Sequence, residues 1–160
     1  MKKHIAQLNI GRLLAAPGHP MVQEFMDALD MVNGLGKRSS GFVWMMEGSG
    51  EPGTGNTENA LDGDPQFVAN LTVWEDVASL RHFAMNTLHK KFMMRRGQWF
   101  EKMERPHFVM WWVDAGHKPT LAEARDRLDH IEKNGDSDYA FGWAYAGEAG
   151  LWKAGQETTV

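Results

Sequence analysis

The sequence predicts an α+β domain in which two β-α-β units follow one another and share an antiparallel sheet with helices on one face. Three observations lead there. Apolar residues alternate over 5–12, 67–74 and 107–113, the period of half-buried strands. Stretches with apolar steps of three and four follow the first and third of the predicted strands, the period of amphipathic helices. The chain has 160 residues, 42% hydrophobic and 24% charged. That is the composition of one globular domain, which at this size buries roughly 68–70% of its unfolded surface.

Taken in order, Ile5 to Arg12 sets Ala6, Leu8 and Ile10 against Gln7, Asn9 and Gly11, a strand with one polar face. Pro20 suits a first helical position, and Val22, Phe25, Met26, Leu29 and Val32 form the stripe. Gly34 and Gly36 are expected to end that helix. Phe42 to Met46 is a short apolar strand. Gly48 to Pro65 is rich in Gly and polar residues, without a period, and is expected to be the most mobile internal segment. Phe67 to Trp74 alternates again. Asp76 caps a helix carrying Val77, Leu80, Phe83 and Ala84, and Asn86-Thr87 interrupts it. The helix is expected to resume through Leu88, Phe92, Trp99 and Met103 until Pro106 stops it. His107 to Val113 is the fourth strand. Thr120 with Glu123 makes a capping box for a last helix, which carries Leu121, Ala124, Leu128 and Ile131 and ends at Gly135. Residues 1–134 are read as one domain and 135–160 as a partly irregular C-terminal extension, whose aromatics show no period.

Several classes are excluded at this stage. With no cysteine there are no disulfides, thiolate metal sites or cysteine nucleophiles. A net charge of −4 argues against a nucleic-acid partner. No apolar run approaches a membrane span, and Gln7, Asn9 and Arg12 break any leader-like core after Lys2 and Lys3, so a cytoplasmic location is expected. Phosphate-loop, dinucleotide and serine-hydrolase motifs do not occur. His82 and His89 stand seven apart, too far for one ion on a straight helix, and no metal is expected.

Two β-α-β units in succession suggest the ferredoxin-like split β-α-β arrangement. Its helices cover one face. The other face, taken to carry Trp side chains with Asn70 and Thr72, is too apolar to leave wet, so a second subunit is expected to cover it. The segments AQLNIGRL (6–13), FMDALDMVNGL (25–35), GFVW (41–44), NLTVWEDVASLRHF (70–83), HKKFMMRRGQWFEKM (89–103) and PHFVMWWVDAGHKPTLAEARDRL (106–128) resemble the dimeric α/β-barrel superfamily, home of the antibiotic-biosynthesis monooxygenases. Within it they are most similar to a largely uncharacterised bacterial family. The resemblance implies a homodimeric α/β barrel.

Asn70 and Trp74 share a strand face by their even spacing. Cofactor-independent monooxygenases of this superfamily carry an Asn and a Trp at this spacing in the corresponding strand. The resemblance therefore implies a pocket where the Asn70 amide orients a substrate oxygen and the Trp74 indole supports it. The alternative is that Asn70 satisfies backbone groups and Trp74 is core. His89 shares a helix face with Met93 and Arg96 at i, i+4 and i+7. It is read as a general base, as a structural hydrogen-bonding residue, or as an axial haem ligand like the helix His of some relatives. The leading expectation is an oxygenase-like enzyme, cofactor-free, acting on a small planar or aromatic metabolite between sheet and helices. Asn70, Trp74 and His89 are its expected catalytic residues. Gln7, Asn9, Thr72, His107 and Arg96 are expected to bind substrate, with Trp44 and Trp111 as walls. The rivals are a haem protein with His89 as ligand and a non-catalytic small-ligand-binding dimer.

Overall fold

The structure is a computed structural model and describes residues 2–16, 18–46, 66–85, 87–102 and 106–151, with only the backbone of Asp30, Thr87, Leu88, His89 and Phe92. The Gly48–Pro65 segment expected to be mobile, Asn86, Met103 and the tail from Trp152 lie outside the described residues.

The strands are β1 (Lys3–Arg12), β2 (Phe42–Met45), β3 (Phe67–Trp74) and β4 (Phe108–Asp114). They form one antiparallel sheet in the order β2-β3-β1-β4, the split β-α-β arrangement expected. The helices are α1 (Pro20–Lys37), α2 (Val77–Ala84), α3 (Thr87–Met94), α4 (Leu121–Asn134) and α5 (Trp143–Glu148). Three caps behave as their side chains dictate. Asp76 Oδ1 accepts from Ser79 N at 2.7 Å, Thr120 Oγ1 accepts from Glu123 N at 3.1 Å, and His19 Nδ1 accepts from Met21 N at 3.0 Å ahead of Pro20.

Three expectations change. Gly34 and Gly36 do not stop α1, which runs to Lys37 and is capped at Arg38. The turn glycine is Gly41, at φ +85, where a Cβ would collide with the Ser79 side chain. The second helix does not resume to Met103. It ends at Met94, and a 3-10 turn over Arg96–Gln98 follows. Trp99 and Phe100 follow that turn, and both are buried with Leu13, Val22 and Met26.

The third change concerns the faces of the sheet. Helices α1 and α2 lie over the face bearing Gln7, Val68, Asn70, Thr72 and Trp74. That is the face expected to be left for a partner, so the helices cover the polar-and-Trp side themselves. The opposite face carries Ala6, Leu8, Leu71, Val73 and Trp111, and α4 lies on it through Ala124 and Leu128. The reason is in β1, where Ala6, Leu8 and Ile10 make a smooth apolar floor fit for the α4 stripe.

The segment after α4 adds one short helix to its irregular course. After α4 the chain follows the free edge of β4, where Phe141 and Met110 exchange two backbone hydrogen bonds of 2.8 and 3.0 Å. It then lays α5 on the α1/α2 side, burying Phe141, Ala146 and Leu151 with Ile5 and Trp74. Among the described residues no helix is long and apolar enough to cross a membrane.

Candidate functional site

Between the sheet and α1, α2 and the 96–98 turn lies a cavity of about 180 Å³. Its floor is strand residues Gln7, Asn9, Asn70, Thr72 and Trp74. These converge because the register sets Gln7 opposite Thr72 and Asn9 opposite Asn70, and a pleated sheet presents such pairs on one face. The roof is apolar, with Phe25, Leu29 and Val32 from α1 and Leu80 and Phe83 from α2. Phe108 and Trp143 wall the β4 side, their rings stacked 5.3 Å apart. Arg96, Trp99 and Phe100 line it from the turn.

The floor is a hydrogen-bonded network. Gln7 Nε2 donates to Asn70 Oδ1 and to Thr72 Oγ1, both at 2.7 Å, with a longer contact to Asn70 O at 3.3 Å. Trp74 Nε1 donates to the same Thr72 oxygen at 2.9 Å. Trp74 is 1% exposed, stacked on Phe83 and edge-on to Phe42. Its indole N–H is therefore taken by the protein, and Trp74 orients Thr72 rather than reaching for a ligand. The Asn70 oxygen is taken as well, which leaves its NH₂ group without a protein partner among the described residues. Gln7 has used its NH₂ group and presents its carbonyl oxygen as an acceptor. The two exposed ends of this network are thus one donor and one acceptor, side by side beneath an apolar roof.

Of the other residues expected here, Trp44 and Trp111 do not wall the cavity. Both belong to the Ala6 face, where Trp111 is fully buried and donates to Glu123 Oε2 at 2.9 Å; the other oxygen of Glu123 meets His117 Nε2 at 2.7 Å. Strand parity puts Trp44 and Trp111 together; it does not say which face the helices take. His107 precedes β4, and its carbonyl accepts from Ile10 N at 2.9 Å. Its imidazole is not among the lining groups, but burial and then the Arg96 charge hold it below the ordinary histidine range. Arg96 does line the cavity, and burial lowers its guanidinium from the ordinary value. The His89 side chain lies outside the described residues; α3 reaches the cavity through Met93.

Sequence reasoning missed Phe25, Phe83, Phe108 and Trp143 as walls. Phe108 opposes Asn9 across the β1–β4 pair, a register that only the folded sheet sets. Trp143 left no periodic signal, because a six-residue helix is too short to show one. Among the described residues no three His, Asp or Glu side chains come close enough to hold a metal ion.

Residues 4–156 match the family described as a domain of unknown function, DUF3291. No curated protein matches. Among solved structures, a conserved protein from Methanosarcina mazei Go1 is 15% identical with a TM-score of 0.50, over 70% of this chain and 92% of its own. The NE2512 protein of unknown function from Nitrosomonas europaea is 13% identical with a TM-score of 0.50, over 74% and 97%. SnoaB, a cofactor-independent oxygenase from Streptomyces nogalater, is 13% identical with a TM-score of 0.44, over 72% and 96%. At these identities the likeness to the two structures with a TM-score of 0.50 is one of fold alone, in keeping with the ferredoxin-like arrangement expected from the sequence.

Proposed function

We propose that this chain, which belongs to the DUF3291 domain family, uses its cavity to bind a small hydroxylated aromatic and to promote its reaction with dioxygen without a metal or organic cofactor. The observation that carries the reading is the floor network, whose free ends are the Asn70 NH₂ group and the Gln7 carbonyl under a roof of Phe and Leu side chains. A cavity of about 150 Å³ accepts a benzene ring, so this one, at 180 Å³, suits one or two fused rings.

The chemistry follows from these groups. The Gln7 carbonyl accepts from a substrate hydroxyl, and the Asn70 NH₂ group donates to the oxygen that becomes anionic when a proton leaves. His89 is the proposed base. The dry roof keeps the anion electron-rich. It gives one electron to dioxygen, the resulting pair combines at a ring carbon, and the peroxide takes back the proton held by His89 to become a hydroperoxide. Loss of water leaves a quinone, with one oxygen atom in the product and the other in the water.

The same reading takes the chain as a homodimer. Trp44, Met46 and Phe67 are only partly buried on the Ala6 face, beside the area that α4 covers. A second copy over them would bury about 1,200 Å² or more in total if stable. Sedimentation as a monomer at micromolar concentration removes that part.

The test is oxygen uptake with dihydroxynaphthalene or naphthol, with product identified by absorbance. Uptake should exceed the uncatalysed rate and fall about 10²-fold in Asn70→Ala, the value of one anion-stabilising donor. It should fall by roughly 10²–10⁴ in His89→Ala. Ring binding without oxygen uptake refutes the oxygenase and leaves a ligand-binding protein.

A further inference from the structure

The functional reading uses the amide floor and leaves Arg96 unexplained. Arg12 pairs with Glu101, Arg95 with Glu24, and Arg125 with Asp129. Arg96 has no carboxylate partner among the described residues. Its Nη2 donates to Ile10 O at 3.2 Å, and its guanidinium lies 4.8 Å over the Phe100 ring. One backbone acceptor and one ring face serve a group with five N–H donors and a full charge. A half-buried cation in that condition is costly unless something else pairs with it.

The surroundings hold this arrangement in place. Gly11 lies on the same sheet face, and a Cβ there would stand 2.5 Å from Phe100 Cδ1 and 3.2 Å from Arg96 Nη2. The absent side chain is what admits the stacked Arg96–Phe100 pair onto the sheet. Two residues earlier on β1, Asn9 Oδ1 is buried without a partner, and Asn9 lines the cavity too. This end of the cavity therefore offers a planar cation, beside the Gln7 acceptor and the Asn70 donor.

We infer that the ligand of this cavity is a hydroxyaryl carboxylate, its carboxylate docked on Arg96 and its hydroxyl on the Asn9–Gln7 side of the floor. The inference rests on the cavity being a ligand site. A carboxylate matches the guanidinium fork with two parallel hydrogen bonds, and the Phe100 ring and the bond to Ile10 O hold that fork at this end of the cavity. The ring then lies between the amide floor and the Phe25 and Phe83 side of the roof. The Gln7 carbonyl oxygen calls for a donor, which a bare carboxylate lacks and a ring hydroxyl supplies.

The experiment is calorimetric titration of the full chain with a hydroxynaphthoate and with the matching neutral hydroxynaphthamide, repeated with Arg96→Gln and Arg96→Lys. The acid should bind the unmodified protein about 10- to 100-fold more tightly than the amide, the usual worth of hydrogen bonds to a charged group. Arg96→Gln should remove that preference, and Arg96→Lys should restore part of it. The comparison on the unmodified protein stands even if a variant fails to fold. Equal binding of acid and amide there overturns the inference and leaves the cavity reading intact. Binding of neither overturns the cavity reading, and the inference with it.

Discussion

Replacing Thr72 by Val keeps the shape of the side chain and removes one hydroxyl from the centre of the floor network. Thr72 is 3% exposed, and its oxygen accepts from Gln7 at 2.7 Å and from Trp74 at 2.9 Å. Gln7 retains Asn70 as a partner. Trp74 retains none, and at 1% exposure its N–H cannot turn to water. Losing a hydrogen bond that Gln7 can partly replace costs about 0.5–1.5 kcal/mol, and orphaning the buried indole adds about 1–3 kcal/mol. The sum is roughly 2–4 kcal/mol. For a chain of this size each kcal/mol moves Tm by about 2–4 °C. Thr72→Val should therefore melt about 5–15 °C below the parent, whereas Thr72→Ser, which keeps the hydroxyl, should lose less than about 1.5 kcal/mol, the scale of one removed methyl. Urea unfolding followed by Trp fluorescence and thermal melting by circular dichroism measure both. A Thr72→Val protein within about 0.5 kcal/mol of the parent, the scatter of neutral substitutions, would refute the claim that Trp74 and Gln7 depend on this oxygen.

Two further outcomes follow from the same geometry. Gly11→Ala places a methyl 2.5 Å from the Phe100 ring, so it should cost about 1–3 kcal/mol by overpacking and weaken ring binding next to Arg96; urea unfolding and ligand titration read both effects. His107 titrates below its ordinary value in the fold, through burial and the Arg96 charge. The unfolded chain thus binds a proton more readily than the folded one. The neutral His107 contributes stability above the unfolded value near pH 6.5, and that stability is lost as pH falls through the lower folded value. His107→Gln should flatten the decline of Tm between neutral and mildly acidic pH, and an unchanged slope would count against this account.

Strand parity alone put Gln7 with Asn9 and Asn70 with Thr72 and Trp74, because side chains alternate whatever the rest of the chain does. Asp76 and Thr120 were legible as caps for a similar reason, since each acts on backbone three residues away. Helical spacing joined Arg96 to Met93, and both line the cavity, although a 3-10 turn rather than the expected α-helix aims Arg96. What parity cannot say is which face of a sheet will be covered and by what. That depended on contacts between segments far apart in the chain. Helix α4 took the Ala6 face and drew Trp44 and Trp111 away from the cavity. Phe141 paired with Met110 and brought Trp143 round the edge of β4 to wall it. The state of each polar group was equally non-local. Trp74 and Asn70 share a face by period, yet the Trp74 N–H is closed off by Thr72 and the Asn70 NH₂ group is left open, because Gln7 from another strand takes the Asn70 oxygen. The sequence by itself determined which side chains within each strand share a face. The tertiary structure decided which of them face a ligand, because a hydrogen bond is satisfied or left free only once every neighbour is in place.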